Sequence, residues 1–165
     1  MKFRKYIFKK YNPKYPKLFE KEKRKILKII PKAEVEHVGS TAIPGLGGKP
    51  IVDIMIIIPK KRMSKIRSLL IKKGYIHPKM GSEKGRLFFQ KDYGILFWKR
   101  RVHIHLTYKK SKPYYRAIIF RDYLRRNPKA VLKYAKIKKE AVKHAKSEGQ
   151  KYREYKDKFI KKHSI

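Results

Sequence analysis

The chain contains no cysteine, which excludes disulfides, thiolate nucleophiles and metal cages built on sulfur. It is also poor in acid: 12 Asp and Glu stand against 48 Lys and Arg, a formal charge of +36. Apolar residues never run long enough to span a bilayer, and Met1-Lys2-Phe3-Arg4 leads into no apolar signal core. Internal repeats and low-complexity tracts are absent. These absences predict a cytoplasmic protein that does not engage a membrane.

What is present argues for a folded core. Of 165 residues, 41% are hydrophobic, with twelve Tyr, eight Phe and one Trp. That is far from a disordered composition and suits one domain spanning 1–165. The basic excess has two readings. One is a polyanion partner such as RNA, bound without sequence preference through phosphate neutralisation and counterion release. The other is compositional bias, since basic residues spread over the whole chain and Lys, Ile and Tyr are all frequent.

Periodicity outlines the elements. The segment through Pro13 reads as extended. Leu18, Phe19, Glu22, Ile26, Leu27 and Ile30 recur at helical spacing, so a helix is predicted from about Pro16 to Ile30, with Pro16 in its first turn and Pro31 as its stop. Val35 to Val38 reads as a short strand. Ile51 to Ile58 is a nearly unbroken β-branched run, the pattern of a strand covered on both faces. Met63 to Lys73 reads as a helix closed by Gly74. Strand-like stretches follow at Leu87–Phe89, Ile95–Trp98 and Val102–Leu106, separated by turns that include Asp92-Tyr93-Gly94. Beyond Pro113 the chain is wholly helical in pattern: Tyr114–Arg126, a helix from Pro128 to about Ser147 capped by Asn127, and a last one over about Gln150–Lys161. The fold class is α+β, a small mixed sheet with covering helices and a C-terminal helical cap.

The residues between Glu36 and Ile54 carry the chemistry. A loop with four glycines and two prolines joins a Gly39-Ser40 turn to Asp53, a lone carboxylate inside an apolar strand. Burying a carboxylate requires partners, and permissive glycine backbone lets N–H groups approach a phosphate. Gly39, Ser40 and Thr41 are therefore candidates to cradle a phosphate, with Lys49 as countercharge. The loop is not a Walker A motif, because Pro50 follows Lys49 where Ser or Thr is required. Asp53 has two readings, a ligand for Mg2+ or a structural carboxylate paired with Lys49 or a C-terminal lysine. A strand bearing Asp-x-Asp would present two acids to Mg2+, but Met55 holds the second position. His103 and His105 alternate, so both point to one face of their strand. They are candidates either for phosphate contact, or, with Asp53, for a transition-metal site of two imidazoles and a carboxylate. Alternation alone also describes a half-solvated strand. Arg121-Asp122 and Lys156-Asp157 read as ordinary surface charges.

The segment Glu36-His37-Val38-Gly39-Ser40-Thr41-Ala42-Ile43-Pro44-Gly45-Leu46, followed by Lys49-Pro50-Ile51-Val52-Asp53-Ile54, resembles the signature of the GrpB family. Tyr11-Asn12-Pro13 with Leu18, Phe19 and Glu22 resembles that family's opening helix. Arg101-Val102-His103-Ile104-His105-Leu106, Phe120–Arg125 with Asn127-Pro128, and Tyr155-Lys156 with Phe159-Ile160 resemble its later segments. GrpB proteins are similar in fold to the nucleotidyltransferase superfamily, and some occur fused to dephospho-coenzyme A kinase. The resemblance implies a nucleotidyltransferase-like sheet. It also implies that Gly39 and Ser40 hold nucleotide phosphates and that Asp53 is the first metal ligand and catalytic carboxylate. His103 and His105 stand where a third acid would, so His105 joins Asp53 as a metal candidate.

Two functions stand as expectations. One is binding of a nucleotide or other phosphorylated ligand, with nucleotidyl transfer assisted by Mg2+. The other is a catalytically silent module that holds a ligand or RNA against a basic surface. The first expectation places Asp53, His103 and His105 in one cleft beside the Gly39-Ser40 turn.

Overall fold

The computed structural model describes residues 7–94, 100–145 and 148–164; the predicted strand at Ile95–Trp98 lies outside them. Helix α1 spans Tyr15–Ile29, opens with Pro16 in its first turn, and buries Tyr15, Phe19, Glu22 and Ile26 along one stripe. Strands β1 (Glu34–Val38) and β2 (Ile51–Ile57) flank the glycine loop. Helix α2 (Met63–Lys72) ends at Gly74, whose φ of 78° is the left-handed conformation that stops a helix. Strands β3 (Arg86–Tyr93) and β4 (Arg100–Thr107) complete a mixed sheet of order β1-β2-β4-β3. Within it β2 and β4 are parallel, while β1 pairs with β2 and β3 with β4 antiparallel.

The C-terminal third is α3 (Lys112–Arg126), α4 (Pro128–His144) and α5 (Gly149–Lys162). Two local expectations need correction. β3 runs on through Asp92 and Tyr93, where a turn was predicted, because Asp92 pairs with Arg101 in the ladder and its carboxylate accepts two hydrogen bonds of 2.7 Å from that guanidinium. Asn127 occupies the cap position of α4 but caps no backbone N–H there; its Nδ2 donates to the Tyr123 carbonyl at 2.7 Å instead. The capping side chain is Ser111, which accepts from the Tyr114 N–H at the start of α3.

Strand alternation divides the sheet into two faces. Val52, Ile54 and Ile56 of β2, with Val102, Ile104 and Leu106 of β4, join α1 and α2 in the main core. Each fully buried Ile or Leu contributes about 1.5–3 kcal/mol to that core. The opposite face carries Val38, Met55 and Ile57, packed against Tyr114, Ala117 and Ile118 of α3. Asp53, His103 and His105 lie on this second face. Helices α3–α5 cover it only in part, and Ile43 and Leu46 of the glycine loop are built into their core with Leu124, Tyr134 and Phe159. The loop is thus held between sheet and helices. At its far end Lys9 and Gly48 exchange backbone hydrogen bonds of 2.9 and 2.8 Å.

Candidate active site

β1 ends at Val38, directly opposite Asp53 in the sheet. The next residue, Gly39, has φ 70° and ψ −168°, a conformation open almost only to glycine. A Cβ there would lie 2.9 Å from both Cβ and Cγ of Asp53. Glycine is therefore required twice, for the turn and for the room it leaves to the carboxylate.

Asp53 is 23% exposed at its side chain, and one of its oxygens, Oδ1, meets both histidines: His103 Nδ1 at 3.2 Å and His105 Nε2 at 3.3 Å. His103 is the ladder partner of Asp53, and His105 that of Met55. The network assigns the His105 tautomer. Arg86 Nη1 donates to His105 Nδ1 at 2.8 Å, so that nitrogen carries no proton and the Nε2–H donates to Asp53. Burial holds the His105 imidazolium below its ordinary range despite the carboxylate. Burial alone would raise the Asp53 carboxyl; the hydrogen bonds from His103 and His105 outweigh it and keep the group well below the usual carboxylate range.

The other expected site residues divide. Ser40 faces the cleft and accepts a hydrogen bond of 2.6 Å from Lys138 Nζ. Thr41 does not: its hydroxyl is buried and bonded to His37 Nε2 at 3.0 Å, so it is unavailable to a ligand. His37 stacks on Phe19 at 4.6 Å, and burial lowers its pKa to about 4. Lys49 lies with its ammonium 4.5 Å from the centre of the Tyr152 ring.

Two residues expected on the surface, Arg121 and Lys156, instead reach the site, whereas Asp157 is exposed as expected. Arg121 is largely buried and donates to Glu36, Asp122 and the His37 carbonyl at 2.6, 2.8 and 3.1 Å, and Arg125 donates to the Ala42 carbonyl at 3.0 Å. Together they clamp α3 onto both ends of the Gly39–Thr41 turn. Lys156 is half-buried, its ammonium 4.4 Å from the centre of the same Tyr152 ring, and burial lowers its pKa.

Lys138 is the residue of the cleft that pattern reading missed. It is 2% exposed, and burial followed by repulsion from Lys156 lowers its pKa from 10.5 to about 7. A signal was present: Lys138 follows Ala130 and Tyr134 and precedes Ala141 on the buried stripe of α4, a lysine at a core position.

These donors do not suit Mg2+. Mg2+ calls for several oxygen ligands in an octahedron, while Asp53 is the sole acid on its strand face and Met55 is a buried thioether. Both histidines turn toward Asp53, and His105 uses its remaining nitrogen on Arg86. Among the described residues no three His, Cys, Asp or Glu side chains are grouped to hold a metal ion. No helix among them is long and apolar enough to cross a membrane.

Two cavities open here with Ser40, Asp53 and Lys156 as their shared wall. The smaller, about 170 Å³, is polar and adds Lys49, His103 and Lys138. The larger, about 340 Å³, is lined mainly by apolar side chains including Met55, Leu46 and Phe120, with Arg86 and Arg116 at its edge. Both arginines are paired with Glu83.

Solved structures identify the architecture. A cytoplasmic RNA terminal U-transferase superposes with a TM-score of 0.51 at 14% identity, over 81% of this chain and 42% of that one. The MgGTP-bound Cid1 poly(U) polymerase superposes at 0.50 and 14% identity, over 79% and 45%. The fold is therefore nucleotidyltransferase-like. GrpB from Enterococcus faecalis superposes at 0.81 with 28% identity, over 96% of this chain and 94% of its own. A family model described as GrpB protein matches residues 6–164, and the chain belongs to the GrpB family. Among relatives, YqkA of Bacillus subtilis, a UPF0157 protein, is 34% identical over 92% of this chain, which spans only 44% of YqkA. BH1888 of Halalkalibacterium halodurans, also a UPF0157 protein, is 30% identical over 91% of this chain and 76% of its own length.

Proposed function

We propose that the cleft binds a phosphorylated small molecule, a nucleotide being the best fit, without requiring a metal. The smaller cavity takes the phosphate and the larger one takes the body of the ligand. The observation that carries this reading is the charge of the smaller cavity. Three lysines, Lys49, Lys138 and Lys156, line it with the Ser40 hydroxyl, against the single carboxylate of Asp53. In a nucleotidyltransferase-like fold the neighbouring RNA uridylyl enzymes lend the nucleotide class of ligand as an analogy. Cationic side chains then neutralise the charge that paired acids and Mg2+ would otherwise manage. Metal-dependent nucleotidyl transfer is the weaker reading here, because Met55 removes the second acid.

Calorimetric titration with ATP and with inorganic pyrophosphate, each in EDTA and in Mg2+, tests this. Binding in EDTA is expected, with an affinity at least about tenfold weaker in Lys156→Met, the loss of a charge-assisted contact. Asp53→Asn is expected to preserve or tighten binding, since it removes the one negative charge. Binding that requires Mg2+ and vanishes in Asp53→Asn overturns the metal-free reading. Met55→Asp would then be the variant that strengthens it.

The +36 charge supports a second association, salt-sensitive and without sequence preference, with RNA or another polyanion. Binding of a mixed-sequence oligonucleotide that is unchanged between low and high salt would rule it out.

A further inference from the structure

The Ser40–Lys138 contact has a use beyond holding an anion. Lys138 forms no ion pair among the described residues; its ammonium nitrogen lies against the Tyr134 ring at 5.3 Å and the Phe8 ring at 6.0 Å, and its one hydrogen bond is to Ser40 Oγ. A lysine buried beside aromatic rings with a hydroxyl as its only hydrogen-bond partner is an unusual arrangement for stability, because charge in such a place requires pairing. Space for it is reserved: a Cβ on Gly48 would come within 2.5 Å of the Lys138 nitrogen. Ser40 itself is half-exposed at the wall common to both cavities. The hydroxyl therefore faces both cavities, while the amine, almost withdrawn from solvent, borders only the smaller one.

We propose that Ser40 is a nucleophile toward the phosphorus of the bound ligand, with Lys138 as the base that receives its proton. This rests on the phosphorylated-ligand reading above and adds a reaction to it. Ser40 Oγ forms a bond to phosphorus as the bond from phosphorus to the leaving oxygen breaks. The Ser40 proton passes to Lys138 Nζ and from there to the leaving oxygen. Water then attacks the phosphoserine, gives a proton back through Lys138, and releases phosphate with Ser40 restored. Lys49 and Lys156 hold the phosphoryl oxygens during both steps.

The contact of 2.6 Å suits transfer in either direction. The depressed pKa of Lys138 leaves a substantial fraction as the free amine at neutral pH, the form a base needs. Facing the amine are Lys156 and Tyr152 from α5, Asp53 from β2, His103 from β4, Lys49 from the loop and Tyr134 from its own helix. Asp53 pulls that pKa up and Lys156 pulls it down.

An alkyl fluorophosphonate tests the inference without knowledge of the natural ligand, because it offers phosphorus with fluoride as leaving group. Intact mass and peptide mapping are expected to place one adduct on Ser40 and none in Ser40→Ala. The labelling rate is expected to rise with pH through a single inflection near neutrality. It should fall at least about tenfold in Lys138→Met, and equally in Lys138→Arg, which keeps the charge and cannot act as the base. Circular dichroism and thermal melts check that both variants fold, and the wild-type pH profile decides the matter if either does not. No adduct on Ser40, or a rate flat from about pH 6 to 9, overturns the proposal. So does wild-type labelling in a folded Lys138→Arg. Pyrophosphate titration separates the two readings: binding without labelling removes the nucleophile and leaves the anion site, whereas labelling without binding does the reverse.

Discussion

Glu22 on α1 and Lys138 on α4 are both withdrawn from solvent, at 0% and 2% exposure, yet they are satisfied in opposite ways. Glu22 accepts from Tyr75 Oη at 2.8 Å and from Tyr93 Oη, with Lys25 at 3.3 Å and Arg100 at 3.9 Å. The rings that donate to it are themselves covered by Lys91, Lys25 and Arg100. Lys138 has one hydroxyl and the flanks of aromatic rings. A fully ringed carboxylate fixes α1 against β3 and has no valence left for a ligand. A lysine with one small partner is costly to keep and free to react. The first serves the fold, and the second is the arrangement on which the Ser40 proposal stands.

Glu22→Ala is expected to break that comparison most severely, because it takes the carboxylate acceptor from the buried Tyr75 phenol and the half-buried Tyr93 phenol. It should lower stability by about 3–5 kcal/mol in urea unfolding, while ligand affinity per folded molecule stays unchanged. Lys138→Met should do the opposite at neutral pH, raising stability by about 1–4 kcal/mol. The sign follows from linkage. A lysine whose pKa falls from 10.5 to about 7 on folding opposes folding most below pH 7. Its penalty fades as pH rises to 10.5, so the gain in the variant should disappear over that window.

His37 sharpens the contrast, being buried with a single hydroxyl partner but neutral. With a pKa near 4 in the fold against 6.5 unfolded, its contribution is complete above pH 6.5. It is lost as pH falls to 4, by about 3 kcal/mol in total. A stability–pH curve that keeps the same acid slope in His37→Gln would contradict this. The smallest effect belongs to the exposed pair of Asp92 and Arg101. Despite two hydrogen bonds of 2.7 Å, Asp92→Asn should cost no more than about 1 kcal/mol, and less in high salt.

The elements with strong periodicity were legible from residues alone. The β-branched run of β2, the stripe of α1 and the glycine stop of α2 each announce themselves locally. Alternation also placed Asp53, His103 and His105 on shared faces, and the parallel register of β2 with β4 brings them into contact. Less legible was anything set by distant partners. β3 continues through Asp92 because Arg101 waits across the ladder, and Thr41 turns inward because His37 offers it a nitrogen. Arg121 and Lys156 read as surface charges since nothing in their helices reveals that the glycine loop docks there. Lys138 required noticing a cation among the small and aromatic residues of a buried stripe.

The lysines of the smaller cavity come mostly from α4 and α5, which pack on each other at the C-terminal end, while the serine and carboxylate come from the sheet side. Ser40 and Lys138 are separated by 98 residues. The completed cleft is therefore a long-range assembly, and opening of the α4–α5 pair alone is enough to dismantle it. Hydrogen exchange gives this a number. A ligand that bridges the two halves at a hundred times its dissociation constant should slow exchange in α4 and α5 by the equivalent of about 2.7 kcal/mol. Amides of β2 and β4 that already exchange through faster local fluctuations should change little.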